Sequence, residues 1–181
     1  MKQPLHILIL EDTLDDAELI VLELENGGFA LAWERVDTAQ AMHEALDRRQ
    51  WDIITSDYSM PRFSAEEALK ILSKRALNIP VIIVSGAIGD ETAAHIMRAG
   101  ARDFITKANL ARLVPSLQRE LKEAQAERER RYAHQELEGL RQRNELILYS
   151  VGEGICGLDG RGKITFINPA GAALLGYGVE E

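Results

Sequence analysis

Short apolar or β-branched runs recur along the N-terminal part of the chain, separated by segments in which apolar residues have helical spacing. Two of the runs, HILIL and VIIV, are almost continuously apolar, which is typical of strands buried on both faces. Strands that alternate with helices favour βαβ units and a parallel sheet with helices on both sides. The pattern therefore predicts a doubly wound α/β domain. Its five strands are expected at residues 5–10, 30–36, 52–56, 80–85 and 102–106.

The segments between the strands carry signals for the starts and ends of five helices. Ser64, followed by Glu67 three residues later, forms a capping box for the third helix. Asp90 is expected to cap the fourth helix and Asn109 the fifth, because short polar side chains accept hydrogen bonds from the first free N–H groups of a helix. The remaining signals are a stop at Gly27-Gly28, a cap at Asp37-Thr38 and a stop at Gly100.

Beyond residue 109 the chain is highly charged and predicts one long helix. At 1.5 Å per residue, its roughly 40 residues reach about 60 Å. Its apolar positions repeat at 4-3-4-3 spacing, which is a heptad seam, and Leu113, Leu117 and Leu121 lie one stutter out of phase with it. We expect a homodimer through residues 110–149; a lone charged surface helix is the alternative. The seam residues are Ala133, Leu137, Leu140, Asn144 and Ile147.

From about residue 150 the pattern changes to strand, turn, strand and helix. The turn lies at Asp159-Gly160-Arg161-Gly162, and the helix opens at Asn168-Pro169. Two strands and part of a helix do not form a stable core alone. We therefore expect the sequence to be a piece of a longer protein.

Composition narrows the classes of partner. The 181 residues are 46% hydrophobic, enough for one full domain and something smaller, and the net charge of -8 argues against nucleic acid or an anionic membrane as the main partner. No stretch approaches the roughly 18 apolar residues of a membrane span. A single cysteine, Cys156, excludes an internal disulfide and suits a cytoplasmic location. The four histidines show no metal-ligand spacing.

Polar side chains stand where the predicted strands end. Glu11 and Asp12 follow the first strand, and Asp57 ends the third. Adjacent strands lie about 4.8 Å apart, so these carboxylates can converge on one pocket, and a hard cation such as Mg²⁺ relieves their repulsion. Ser85 and Lys107, at the ends of the fourth and fifth strands, add a hydroxyl and an ammonium to the same edge. A carboxylate surrounded in this way is suited to accept a phosphoryl group.

Residues 5 to about 122 resemble a two-component response-regulator receiver domain. The resemblance rests on ILEDTLDD, SDYSMPRFSAEEAL, IIVSGAIGDETAA and AGARDFITKANL, in that order. It implies the flavodoxin/CheY-like fold with strand order 2-1-3-4-5. The resemblance implies that Asp57 is the phosphoacceptor and that Ser85 and Lys107 contact the phosphoryl group. The implied Mg²⁺ ligands are Asp12, Asp57 and the backbone carbonyl of Ser59, with Glu11 acting on the metal through water. Ser85 and Phe104 are the implied switch residues.

Two positions depart from that family's pattern. Ala108 follows Lys107 where proline is usual, so the loop into the fifth helix and the output surface can differ. Phe104 replaces the common tyrosine and has no hydroxyl to donate, and its alternative role is core packing. Neither departure removes a residue expected to take part in phosphorylation.

Residues from about 145 to 181 resemble the start of a PAS sensor domain, carried by SVGEGICGLDGRGKITFINPAGAALLGY. The expected domains are a receiver at 1–122, a coiled-coil linker at 123–149 and an α+β PAS fragment at 150–181. Such an order resembles the front end of a signalling protein whose output is a histidine kinase or a cyclic-dinucleotide enzyme. The PAS ligand pocket is not carried over.

The leading hypothesis is a phosphorylation-controlled signalling module that is not itself an enzyme. A histidine kinase or phosphotransfer protein would phosphorylate Asp57, the face from strand four to helix five would rearrange, and the long helix would pass the change on. The alternatives are an unphosphorylated interaction scaffold and a Mg²⁺-dependent phosphatase, which would need an acid where Ser59 stands. His134 lacks the acid, arginine and proline that follow a kinase phosphoacceptor histidine.

Overall fold

The computed structural model describes residues 2–86 and 89–176. Outside the described residues lie Met1, Ala87, Ile88, the side chain of Asp90 and residues 177–181. The end of the PAS-like motif falls within 177–181. The chain forms two compact units, Met1–Glu127 and Arg128–Glu181.

The first unit is organised around a five-stranded parallel sheet. Its elements in chain order are β1 (Gln3–Leu10), α1 (Leu14–Asn26), β2 (Phe29–Val36), α2 (Ala39–Arg48), β3 (Ile53–Ser56), β4 (Ser59–Met60), β5 (Phe63–Ser64), α3 (Ala65–Lys74), β6 (Val81–Ser85), α4 (Asp90–Arg98), β7 (Asp103–Thr106), a 3-10 helix (Lys107–Arg112) and α5 (Leu113–Ser150). The sheet order is β2-β1-β3-β6-β7, with every pairing parallel. When only the five strands of this sheet are numbered along the chain, the order is 2-1-3-4-5, as predicted. The doubly wound fold is therefore confirmed.

Alternate residues of the central strands face opposite sides of the sheet, as the pleat of a strand requires. Leu8 and Ile54 belong to a buried cluster with apolar residues of α2, α3 and α4. Ile7 and Ile53 belong to a second cluster, with residues of α1 and the start of α5. Because both faces are covered, the strands read as continuous apolar runs.

Side-chain capping explains where α2 and α3 begin. The capping box of Ser64 and Glu67 is formed in full, and the Thr38 side chain accepts from the Ala41 N–H. The prediction that Asp90 caps the fourth helix is wrong. The extended Gly89 is the cap residue, because its carbonyl already accepts the first helical hydrogen bonds.

The prediction that Asn109 caps the fifth helix is also wrong. Asn109 has a non-helical φ of -133° within the 3-10 helix, and α5 begins only at Leu113. Pro115 supplies the physical reason. In a helix that starts at Leu113 its missing N–H falls in the first turn, where N–H groups lack helical partners anyway, whereas an earlier start would cost a hydrogen bond.

A short antiparallel hairpin that the sequence pattern did not predict follows the third sheet strand. Its strands β4 and β5 pair Ser59 with Ser64 and Met60 with Phe63. Met60 and Phe63 are buried against the cluster on the α3 side. The hairpin thus holds the segment directly after Asp57 against the core.

The second unit contains the rest of α5 and the predicted strand, turn, strand and helix. The strands β8 (Cys156–Leu158) and β9 (Ile164–Ile167) are antiparallel, and α6 spans Pro169–Leu175. In the turn, Asp159 accepts from the Arg161 and Lys163 N–H groups. Asn168 caps α6 by accepting from the Gly171 N–H, as predicted.

The long helix is confirmed as one continuous element of 38 residues. Its seam residues from Ala133 to Ile147 are all exposed in the single chain, including Leu137 and Leu140. Across the parts of the chain that the structure describes, no helix combines the length and the apolar content that a membrane crossing requires.

Candidate functional site

The register of the central strands brings the predicted acids to one edge of the sheet. Leu10 of β1 is the partner of Ser56 of β3, so Glu11 and Asp57 are the next residues on neighbouring parallel strands. The Asp57 N–H donates to the Leu10 carbonyl at 2.8 Å. The backbone under both acids is therefore held by the sheet.

Three of the predicted residues form an acidic cluster. Glu11, Asp12 and Asp57 each place a carboxylate oxygen within 4.8 Å of the others. Glu11 is fully buried, Asp57 is half-buried and Asp12 is exposed, so the cluster runs from the protein interior to solvent. Such a set offers hard oxygen ligands and an open side, which suits a divalent cation.

The Lys107 ammonium neutralises part of this charge. Its Nζ lies 2.8 Å from Asp57 Oδ2, 2.8 Å from Glu11 Oε2 and 2.6 Å from Asp16 Oδ2. Burial alone would lower the pKa of Lys107, but its hydrogen bonds to Asp16, Asp57 and Glu11 outweigh that effect and raise the pKa above its ordinary value. Lys107 is therefore a permanent cation next to Asp57.

Glu11 occupies the most enclosed position in the site. Burial raises the pKa of Glu11, against the opposing effect of Lys107, and the charge of Asp57 adds to the rise. Its Oε1 accepts from the Thr13 N–H at 3.3 Å. A buried carboxylate with so few partners depends on the neighbouring ammonium for its stability.

Two contributors to the site were missed from sequence. Arg35 of β2 donates from Nη1 to the backbone carbonyls of Glu11 at 2.8 Å and Asp12 at 3.2 Å, and so holds the segment after β1. Asp16 of α1 reaches Lys107 across 91 residues of sequence. No local pattern indicated either contact, because each joins side chains or backbone of elements that are distant in sequence.

The other predicted residues lie on β4, β6, β7 and the 3-10 helix. Ser85 is buried at the end of β6, where its partner is Thr106, the residue before Lys107. Phe104 of β7 is half-buried and packs against the cluster on the α3 side. Ser59 is exposed in β4, and Ala108 is exposed in the 3-10 helix. The structure thus places Glu11, Asp12, Asp57 and Lys107 in one site, with Ser85 on the same edge of the sheet.

Polar contacts attach the first turns of α5 to the sheet. The Asp103 carboxylate accepts from the Ser116 hydroxyl and from the Arg119 guanidinium. Burial would raise the pKa of Asp103, but these hydrogen bonds lower it below the usual range. Further along the helix, Glu127 accepts from Arg102 at 3.2 Å. The start of α5 therefore has a defined position on β7 and the loop before it.

Comparisons with known proteins point to one family. The family model described as response regulator receiver domain matches residues 7–118, and the PAS fold model matches residues 142–181. The transcriptional regulatory protein FixJ of Azorhizobium caulinodans is 30% identical over 165 residues, which cover 86% of this chain and 75% of FixJ. The cell cycle transcriptional regulator CtrA of Caulobacter vibrioides is 29% identical over 106 residues, covering 57% of this chain and only 44% of CtrA. The receiver domain of Francisella response regulator 1452, 24% identical with a TM-score of 0.59, shares the fold and covers 66% of this chain and 98% of that domain.

Proposed function

The chain belongs to the response regulator receiver domain family of two-component systems, and from this premise we propose that Asp57 is its phosphoacceptor. The observation that carries the proposal is the contact between Asp57 and the Lys107 ammonium at 2.8 Å, beside two further carboxylates. The proposed donor is a histidine kinase or a phosphotransfer protein. The chain receives the phosphoryl group and is not itself an enzyme.

Phosphoryl transfer needs little from this site beyond positioning and charge neutralisation. An Asp57 oxygen attacks the phosphorus of the donor phosphohistidine, the P–N bond breaks, and its electron pair returns to the imidazole. Lys107 holds the Asp57 carboxylate through an ion pair and then holds a phosphoryl oxygen. The hydroxyl of Ser85, on the neighbouring strand, donates a hydrogen bond to a second phosphoryl oxygen.

The acidic cluster fits a Mg²⁺ ion, because its three carboxylates converge from a buried to an exposed position. Asp12, Asp57 and the backbone carbonyl of Ser59 would hold the ion, with Glu11 acting through water. When bound, the ion neutralises negative charge on the transferring phosphoryl group. Within the protein, Arg35 holds the backbone that carries Glu11 and Asp12.

The test is labelling by acetyl phosphate, in which the P–O bond to the acetyl group breaks and acetate leaves. We expect Mg²⁺-dependent incorporation of one phosphoryl group that chelation by EDTA abolishes. Asp57→Asn should also abolish it, whereas Asp52→Asn, which changes a carboxylate at the opposite end of β3, should retain it. Undiminished labelling of Asp57→Asn would exclude Asp57 as the acceptor.

The proposed output runs from the site through the face that extends from β6 to α5 and includes α4 and β7. Ser85 and Phe104 act as the switch residues, since one lies at the site and the other on the strand next to it. The contacts of Asp103 with Ser116 and Arg119 support a tight link between β7 and α5. The domains are a receiver at 1–122, a linker at 123–149 and a PAS part at 150–181, in a protein that we place in the cytoplasm.

A homodimer through residues 110–149 completes the proposal. The exposed seam needs a partner, and the heptad places Asn144 at an a position, where asparagine favours a matched pair in a two-stranded coil. Glu136 precedes Arg141 by five residues, the spacing at which g and e positions of two parallel chains meet. The opposite charges support a parallel, in-register dimer.

A further inference from the structure

Asp16 makes the shortest of the three contacts with the site lysine. Its Oδ2 lies 2.6 Å from Lys107 Nζ, compared with 2.8 Å for Asp57. Asp16 lies in the first turn of α1, outside the group of three acids that converge on one another. Asp16 is therefore linked to the site through its contact with the Lys107 ammonium.

The Lys107 ammonium carries one positive charge, and three carboxylates already share it. Its Nζ lies 2.6 Å from Asp16 Oδ2 and 2.8 Å from both Asp57 Oδ2 and Glu11 Oε2. A phosphoryl group on Asp57 adds negative oxygens that need the same positive charge. The acids that pair with Lys107 therefore compete with the phosphoryl group for its ammonium.

The exposure of the acids indicates which partner is released. The Asp16 side chain is 33% exposed, against 14% for Asp57 and 1% for Glu11. A carboxylate that is already partly hydrated loses least when its ion pair opens, whereas a buried carboxylate left alone is costly. Asp16 is therefore the acid that can exchange Lys107 for water.

We propose that Asp16 is a positioning residue that holds Lys107 in the unphosphorylated state and competes with the incoming phosphoryl group. The inference rests on the proposed role of Asp57 and deepens it. Asp16 slows phosphorylation in two ways, since it engages the lysine and adds a negative charge that repels an anionic donor. Removal of that charge should accelerate the attack of Asp57 on acetyl phosphate, in which the P–O bond breaks and acetate leaves.

The experiment compares Asp16→Asn with Asp15→Asn in the full chain. Both changes remove one negative charge from the same helical turn, but Asp15 is exposed and forms no ion pair among the residues that the structure describes. With acetyl phosphate and Mg²⁺, Asp16→Asn should be phosphorylated about three- to tenfold faster than the unchanged chain, and Asp15→Asn within about twofold. Asp16→Glu, which keeps the acid, should stay close to the unchanged rate.

The outcomes separate this inference from the proposed function. If the unchanged chain is not labelled at Asp57, the proposed function fails. If it is labelled but Asp16→Asn reacts no faster than Asp15→Asn, the competition by Asp16 is refuted.

A second readout needs neither Mg²⁺ nor phosphorylation. In EDTA, the urea midpoints of Asp16→Asn, Lys107→Gln and the double variant should be non-additive if the two side chains interact. Additive shifts would overturn the contact on which the inference depends.

Discussion

Replacement of Lys107 by glutamine tests the electrostatics of the site in the absence of metal. The change removes the ammonium that lies within 2.8 Å of both Glu11 and Asp57. Glu11 is 1% exposed and cannot be hydrated in compensation. The variant therefore leaves a buried carboxylate without its cation, next to two other acids.

The magnitude follows from the burial of the partners. Removal of one member of a fully buried ion pair costs about 3–5 kcal/mol of unfolding free energy, whereas a surface pair contributes about 0–1 kcal/mol. Lys107 is 22% exposed, which lies between these limits but nearer the buried one. We expect Lys107→Gln to lower the free energy of unfolding by about 2–3 kcal/mol in EDTA.

The assay is urea unfolding followed by tryptophan fluorescence, because both tryptophans, Trp33 and Trp51, lie in the unit Met1–Glu127. With a slope of about 2 kcal/mol per molar urea, the midpoint should fall by about 1–1.5 M. Lys70→Gln, on the exposed side of α3, should change the free energy of unfolding by less than about 0.5 kcal/mol. If Lys107→Gln is as stable as Lys70→Gln, the account of a buried acid that depends on Lys107 is wrong.

Three further predictions concern stability and assembly. Ala76 has a φ of 52°, a region of backbone conformation that favours glycine. Ala76→Gly should therefore raise the thermal midpoint and increase the free energy of unfolding by about 0.5–1 kcal/mol. A lower midpoint would contradict this account of backbone strain. The pKa of Asp103 is lower in the folded state than its ordinary value near 3.8. Its contribution to the free energy of unfolding is therefore fully present above that ordinary pKa, and it is lost as the pH falls through the pKa of the folded state. Asp103→Asn should therefore destabilise the protein by about 1–2 kcal/mol at pH 7 in urea unfolding, with a difference that shrinks below about pH 4; a difference independent of pH would refute the argument. Leu140→Glu puts a charge in the exposed seam and should convert the proposed dimer to a monomer in sedimentation analysis. Gln142→Glu, on the opposite side of the helix, should leave the protein dimeric. Equal masses for the two variants would exclude the seam as the dimer interface.

Much of the fold could be predicted because its signals are local. Continuous apolar runs identified all five sheet strands to within two residues at each end, and the capping box at Ser64 and Glu67 formed as expected. Asp90 and Asn109 show the limit of such signals. A residue type that can cap does not do so when the first helical hydrogen bonds are accepted at Gly89, or when Pro115 sets where the helix begins.

The site was predictable to the extent that its residues end strands. Parallel strands align their carboxyl ends, so the convergence of Glu11, Asp12 and Asp57 followed from their positions in sequence. The roles of all these residues in phosphorylation and metal binding stay predictions, as do those of Lys107, Ser59, Ser85 and Phe104. The hairpin of β4 and β5 was missed because two-residue strands leave too short a pattern to recognise.

The sequence by itself determined which segments form buried strands, where acids and a lysine leave them, and which face of the last long helix carries a heptad seam. These properties depend on periodicity and capping over a few residues. Only the tertiary structure decided that Asp16 of α1 pairs with Lys107 and that Arg35 of β2 holds the backbone of the acidic segment. Such contacts join side chains on different elements, and their distances depend on how helices pack on the sheet, which no local pattern specifies.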